Sequence, residues 1–492
     1  DLQLSRDRLV RHISRRVRSF LFASDVGCRS SPIQQEKMNS SEDSLFLEAM
    51  VDVNIPWTKG LASMFYLVSP TESSYKAAEE VPQFYRKAWP YFLLFILLEN
   101  VILWVERKPL MRVNDGLTSL SHALFQECGR LLFRGGESAL YIYIYEHFHI
   151  IDLPWESPVT WYIAAIGVDF CYYWVHRASH EIHILWAQHQ VHHSSEDYNL
   201  AVGLRQSILQ GWCGFIFYLP MAMFVPPAQF LTHQQFNLLY QFWIHTETVK
   251  SLGPLEWLLN TPRHHRVHHG STLYCLDKNY GGFLIIWDRL FGTFQKEEEK
   301  KEIIYGLVKN QPSFNPLFLQ VFYNMNVWNK MQSMEGWQNK LGAVIKGPSW
   351  LPGKPWTGAD EDKIDVKSRV KYDVKLPLWL NVYIIVHFAA VTVGFQELAL
   401  RYMSMGPLTV LFFASYIIGS LTVIGLLLEA NSHAVMFEVI RCTALVLLLH
   451  HCAGALRDPI IAPALLQLFY ITSASFWALR CLTGLKQIPQ SQ

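Results

Sequence analysis

Long apolar runs, separated by charged and proline-punctuated stretches, divide the chain into blocks. The first run, Pro90 to Val105, predicts a spanning helix that is short for a hydrocarbon core of ~30 Å and is interrupted by Glu99 and Asn100. Tilt or pairing with another helix would reconcile its length. Glu106-Arg107-Lys108 and Arg112 follow it, and this positive flank places its C-terminal end on the cytoplasmic side. Further apolar stretches cover Ala139–Leu153, Val159–Val175 and Ile208–Val225, with a half-buried one at Phe230–Ile244. Several are too short for independent spans and suit helical hairpins or interfacial helices. In the last third, Leu378–Phe395, Pro407–Leu428, His433–His451 and Pro459–Leu479 predict three or four membrane helices.

The intervening blocks are polar. Residues 1–49 carry Arg6, Arg8, Arg11, Arg15, Arg16 and Arg18 without an apolar signal core, which predicts a disordered extension. From Gln295 to about Leu376 the chain again looks soluble, with a charge run at Lys296–Lys301 and loop punctuation at Gly347-Pro348, Pro352-Gly353 and Pro355. The expected organisation is an extension over 1–49, a membrane-embedded catalytic domain over 50–310, a linker or loop region over 311–376 and a C-terminal helical bundle over 377–492.

Composition sharpens this picture. Of the 492 residues, 51% are apolar and 17% charged, against about a quarter charged in ordinary soluble proteins. The chain therefore reads as an all-α, multi-pass membrane bundle. A net charge of +1 lacks the basic footprint of a nucleic-acid binder. The eight cysteines are scattered with no C-x-x-C pair, which supports neither a disulfide framework nor a zinc ribbon.

The chemistry lies in three histidine clusters: His176-Arg-Ala-Ser-His180, His189-Gln-Val-His192-His193 and His265-Arg-Val-His268-His269. Spacings of three and four put the imidazoles of a cluster on one helical face. A single H-x-x-x-H is more often a surface or core pair, but three such clusters within one stretch rarely arise by chance. Eight neutral imidazoles exceed what one ion uses and suit two first-row ions. Zinc fits less well. His180-Glu181 is not followed by the histidine that an H-E-x-x-H protease helix requires, and no cysteine lies in register for a structural zinc site. Iron is the expected metal.

Asp169, two turns before His176, is a candidate to orient a ligand's N–H, and Glu181 a candidate for orientation or proton relay. Either could also be an ordinary structural or surface carboxylate. Tyr198, Asn199 and Arg205 follow the second cluster as candidates for contacts to a head group or cofactor, with loop scaffolding as the plainer reading. His183, His233 and His264 read as second-shell or surface residues. His147, His149, His387, His450 and His451 have no partners at ligand spacing.

The clusters, in this order and in a membrane chain, resemble the fatty acid hydroxylase / sterol desaturase superfamily. The likeness continues through Trp243-Ile-His245-Thr-Glu247, Asn279-Tyr-Gly-Gly and Ile286-Trp-Asp-Arg-Leu-Phe-Gly-Thr293. It covers roughly Met50 to Thr293 well and the C-terminal helices more loosely. The superfamily's eight histidine ligands map onto His176, His180, His189, His192, His193, His265, His268 and His269, and the context of His245 adds it as a ninth candidate.

Within the superfamily, Gly167-Val-Asp-Phe-Cys-Tyr-Tyr-Trp174, Gln188–Asn199 and Phe236–Glu247 resemble the branch that cleaves ether lipids with tetrahydrobiopterin. The resemblance implies two Fe2+ ions, tetrahydrobiopterin and dioxygen, and a substrate drawn from the bilayer. That substrate is a 1-O-alkylglycerol or lyso ether phospholipid, released as fatty aldehyde and glycerol. It also implies residence in the endoplasmic reticulum membrane with the metal face toward the cytosol. A pterin-recycling enzyme is involved only indirectly. The neighbouring alternative is a sterol or fatty-acyl hydroxylase fed by a cytochrome-type donor. A more distant one is a transporter or receptor that binds metal as cargo or signal, for which Glu99 would be an intramembrane polar residue.

Overall fold

A computed structural model describes residues 57–133, 136–452 and 461–483. The arginine-rich extension 1–49 lies outside the described residues. Within them the principal helices are α1 (Trp89–Val105), α2 (Val113–Phe133), α3 (Gly136–Phe148), α4 (Pro158–Glu181), α5 (His183–His193), α6 (Pro227–Trp243), α7 (Pro262–His269), α8 (Pro316–Ser333), α9 (Leu378–Arg401), α10 (Pro407–Leu428), α11 (Ala434–Cys452) and α12 (Pro463–Leu482). No β-sheet occurs among the described residues, which carry only two isolated bridges. Among the described residues, four segments are long and apolar enough to cross a membrane: Ala78–Val105, Leu378–Ser404, Pro407–Leu428 and Pro463–Leu482.

Local chemistry sets the helix ends that matter for the site. α4 begins where the Ser157 side chain accepts the Val159 N–H and Pro158 occupies the first turn. It stops at Ile182, whose extended backbone (φ −122°, ψ 116°) separates it from α5. The first two histidine clusters thus sit on neighbouring helices that meet at a sharp corner.

Three segments differ from the sequence pattern. The apolar run Ile208–Val225 is not one helix. It is a short α-turn at Gln210–Gly214 followed by a 3-10 segment at Phe215–Met223 that contains Pro220, a residue that cannot continue an α-helical ladder. The region 311–376 holds α8 and a second helix at Trp337–Ile345, and α8 packs against α5 behind the histidines. There Gln190 donates to the Leu319 carbonyl (2.9 Å) and Gln188 to Asn324 (2.9 Å).

α2 has no apolar run to announce it, because Asn114, Asp115, Thr118, Ser119, Ser121 and His122 are all buried on it. Each of these finds a partner within the fold. Arg205 reaches Asp115, Asp373 accepts from Asn114, and Gln320 meets His122. The other face of α2 (Leu117, Leu124, Phe125, Leu131) shares one core with α9, α10 and Trp477. α2 is therefore the seam between the histidine-bearing half and the C-terminal bundle.

Candidate metal centre

Nine buried histidines converge. His176, His180, His189, His193 and His268 form one group, and His192, His245, His265 and His269 form another; within each group the candidate ligand atoms lie within 4.8 Å of one another. The Nε2 atoms of His176 and His189 approach to 3.1 Å, and those of His193 and His189 to 3.2 Å. In the second group His245 is central, with its Nε2 at 2.9 Å from His265, 3.1 Å from His192 and 3.2 Å from His269.

The outer ring nitrogens explain this orientation. His176 donates Nδ1–H to the Tyr280 carbonyl (2.8 Å), His268 to the Lys278 carbonyl (2.9 Å) and His245 to the Gln241 carbonyl (2.7 Å). The Nδ1 of His192 faces the Arg205 carbonyl at 3.3 Å. With the proton fixed on Nδ1, each Nε2 turns a lone pair toward its neighbours. His180 Nε2 and His268 Nε2 are buried without a hydrogen-bond partner. Lone pairs facing one another at about 3 Å repel, and a metal cation removes that repulsion. Burial holds the rings in the neutral, ligating form, pushing His176 and His245 down to about 4. For His180, His193 and His269, burial first and neighbouring imidazoles second push them well below the usual range. An all-imidazole set with no thiolate fits first-row ions such as iron.

The supporting residues work through the backbone. Asp169 touches no histidine. Its carboxylate accepts from Phe283 N (2.7 Å), Leu284 N (3.0 Å), Trp287 Nε1 (2.9 Å) and Asn237 Nδ2 (2.7 Å). It anchors the loop whose Tyr280 carbonyl orients His176. The Asn279-Tyr-Gly-Gly motif belongs to the same device. Asn279 adopts a left-handed backbone (φ 56°), and its amide donates to the His264 and Gln295 carbonyls. A Cβ on Gly282 would lie 2.7 Å from the Tyr172 ring and 2.8 Å from Asn237 Oδ1, so the loop could not close against α4 and α6.

Glu181 pairs with Arg177 (2.9 Å), away from the inner nitrogens. Asn199 caps the 3-10 turn Leu200–Leu204 by accepting from Ala201 N. Arg205 is fully buried, donating to Asp115 (2.9 Å) and Ser194 (3.0 Å). It acts on the centre through its carbonyl against His192, and its guanidinium is committed to these protein partners. Tyr198 lies against the centre, its ring 5.3 Å from that of His269 and 5.9 Å from that of His245.

Residues not singled out from sequence include Gln210, whose amide meets His189 Nδ1 at 3.2 Å, and Tyr280, whose ring stands 5.3 Å from His180. Glu99 is another. From α1 it accepts Thr246 Oγ1 (2.5 Å) and Leu200 N (2.9 Å), tying the segments on either side of the second histidine group. The Tyr-Gly-Gly motif and the polar break at Glu99 carried a local signal; Gln210 did not. His387, read as partnerless, meets Glu438 and Cys442 in the C-terminal bundle. Arg441 donates to both His387 Nδ1 and Glu438, so this cluster already holds its own cation.

Two cavities adjoin the centre. One, of about 510 Å³, is walled by residues such as Val175, Tyr218, Phe230 and Phe242 and reaches His189, His192 and His245. The other, of about 690 Å³, is lined by charged residues and reaches Tyr198.

A helical membrane protein with buried imidazoles on this helix order is a membrane-bound hydroxylase, and the fatty acid hydroxylase family model matches residues 161–293. The alkylglycerol monooxygenase C-terminal domain matches residues 380–466. The chain is 43% identical over 447 residues to alkylglycerol monooxygenase of Homo sapiens, covering 90% of this chain and 99% of that protein. It is 46% identical over 386 residues to alkylglycerol monooxygenase of Xenopus tropicalis, covering 78% and 86%. An ornithine lipid hydroxylase of Rhizobium tropici is 31% identical over 170 residues, 33% of this chain and 49% of that protein. No solved structure matches. The chain belongs to the alkylglycerol monooxygenase family.

Proposed function

We propose that this chain cleaves the ether bond of 1-O-alkylglycerols and lyso ether phospholipids. In this reading it uses two Fe2+ ions, tetrahydrobiopterin and dioxygen, in the endoplasmic reticulum membrane with the metal face toward the cytosol. Residues 50–310 carry the catalysis, 311–376 back it on the aqueous side and 377–492 form the membrane bundle. The observation that carries this reading is the convergence of nine neutral imidazoles, in groups of five and four, at the end of a cavity with one apolar wall.

Bound by these histidines, iron supplies with dioxygen and two pterin electrons the oxidising power that an unactivated C–H bond beside an ether oxygen demands. The protein's residues do the positioning. Val175, Tyr218, Phe230 and Phe242 enclose the alkyl tail. Transfer out of water is worth about 0.8 kcal/mol per methylene, but a tail arriving from lipid gains far less. Selectivity therefore rests on depth and on the polar groups at the inner end, where Gln210 and Gln241 stand beside the histidines. Hydroxylation of the methylene next to the ether oxygen gives a hemiacetal, which collapses to fatty aldehyde and glycerol. The second oxygen atom leaves as water.

Membranes containing the chain, given an alkylglycerol, oxygen and tetrahydrobiopterin, are expected to release aldehyde in a pterin-dependent manner, and His192→Ala membranes are expected to release none. Well-expressed, iron-loaded protein that forms no aldehyde would overturn this reading in favour of a sterol or acyl hydroxylase.

A further inference from the structure

The two cavities approach the metal centre from different walls and differ in chemistry. One, of mixed lining with an apolar wall at Val175, Tyr218, Phe230 and Phe242, ends on His189, His192 and His245; the other has Tyr198 as its wall nearest the histidines and is lined mostly by acids and bases. At about 690 Å³ the polar cavity falls within the roughly 300–1,000 Å³ range of small-molecule sites.

Its cationic groups are largely committed. Arg266 donates in a bidentate pair to Glu297 (2.8 and 3.0 Å) and to the carbonyls of Val249 (2.9 Å) and Lys250 (3.2 Å), so it fixes the loop that carries Glu247. Arg369 donates to the carbonyls of Tyr305 and Leu307 and fixes the opposite wall. With these guanidiniums holding backbone, and Arg263, Lys301 and Lys371 paired with Glu299, Glu298 and Asp197, most of the cavity's positive charge is already neutralised. The cavity offers a stacked aromatic pair and a carboxylate. The rings of Tyr198 and Tyr305 stack at 4.8 Å with 12° between planes, and Tyr305 Oη donates to Glu247 Oε1 at 3.0 Å. Glu247 is solvent-exposed, and its second oxygen has no hydrogen bond among the described residues. A flat, donor-rich heteroaromatic ring with an amino-pyrimidine edge is the complement of such a wall. Its N–H groups pair with a carboxylate in two parallel bonds, and its hydroxylated side chain suits the charged rim.

We infer that this cavity is the docking site of the reduced pterin, with Glu247 accepting its amino-pyrimidine edge and Tyr198 and Tyr305 forming the wall between it and the metal centre. The assignment rests on the pterin dependence proposed above and adds the residues responsible. It also separates the two co-substrates, with lipid entering through the cavity that reaches His189, His192 and His245 and pterin through the charged one.

The test is equilibrium binding of tetrahydrobiopterin under argon to the full-length, iron-loaded protein in nanodiscs, with hydrogen exchange read on the same sample. Glu247→Gln is expected to weaken binding roughly tenfold or more, since a charged acceptor is lost, while iron content stays at the wild-type level. In the wild type, pterin is expected to slow exchange in residues 246–251 and 303–306, a readout that needs no variant to fold. Unchanged affinity in Glu247→Gln, or protection confined to the 210–218 and 231–242 walls, would overturn the site while leaving pterin dependence intact. A wild-type protein that binds no pterin would overturn both.

Discussion

His245 shows how a single side chain can be central without belonging to a motif. It has no histidine at ligand spacing in sequence, yet its Nε2 lies within 3.2 Å of three others. His245→Ala is expected to lose roughly 100-fold or more in activity together with bound iron. Asp169→Asn should behave differently, because Asp169 reaches His176 only through the 280–284 loop. Groups that orient ligands typically contribute about 10–100-fold to metal affinity. Its loss should therefore appear as iron release that excess Fe2+ reverses, and a normal turnover per bound iron would confirm the positioning role.

The same burial sets an acid limit. His183 and His264 are pushed down to about 4 by burial, against 6.5 in the unfolded chain. Above pH 6.5 both states are neutral and stability is flat. As pH falls from 6.5 toward 4 the unfolded chain binds protons that the folded one refuses, and stability is lost. Asp288, raised to about 6 by burial, acts in the opposite direction, as do Asp169, Glu181, Glu196 and Asp277, which burial also raises, but the buried histidines outnumber them. The midpoint of thermal unfolding should fall steadily below pH 6.5 and stay level from 6.5 to 8.

Among the elements, legibility followed sequence locality. The clusters on α4, α5 and α7 were readable because spacings of three and four survive in the linear chain, and the runs at Pro90–Val105 and Pro407–Leu428 because a spanning helix is a contiguous signal. α2 was not, since Asn114, Asp115 and Ser119 read as surface residues until Asp373 and Arg205 come round to meet them. The Ile208–Val225 run misled for the opposite reason, its continuous hydrophobicity masking the break at Pro220. Glu99 looked like a defect in α1 and is instead the clasp between Leu200 and Thr246. Removing it as Glu99→Ala leaves the buried Leu200 N–H without a partner and leaves the Thr246 hydroxyl only Thr248 to bond. A loss of about 1–3 kcal/mol in stability is expected, measurable as a lower midpoint of thermal unfolding in nanodiscs, with weakened iron retention as its companion.

At the scale of the whole molecule, the histidine-bearing half and the C-terminal bundle are not independent bodies. The apolar face of α2 is part of the core formed by α9, α10 and Trp477, and its polar face holds Arg205, whose carbonyl meets His192. A displacement of the bundle is thus three contacts away from His192, by way of a helix of 21 residues. Membrane helices tilt to match the thickness of the bilayer around them, at a cost of fractions of a kcal/mol per ångström of mismatch. α9 and α10 face that choice directly, and α2 is bolted to both. Turnover per bound iron should accordingly vary with the acyl length of the host lipid, passing through an optimum in reconstituted bilayers of graded thickness. The variation should weaken when the α2 seam is loosened by Phe125→Ala. An enzyme whose substrate is itself a membrane component would then be tuned by the mechanical state of the membrane as well as by what dissolves in it.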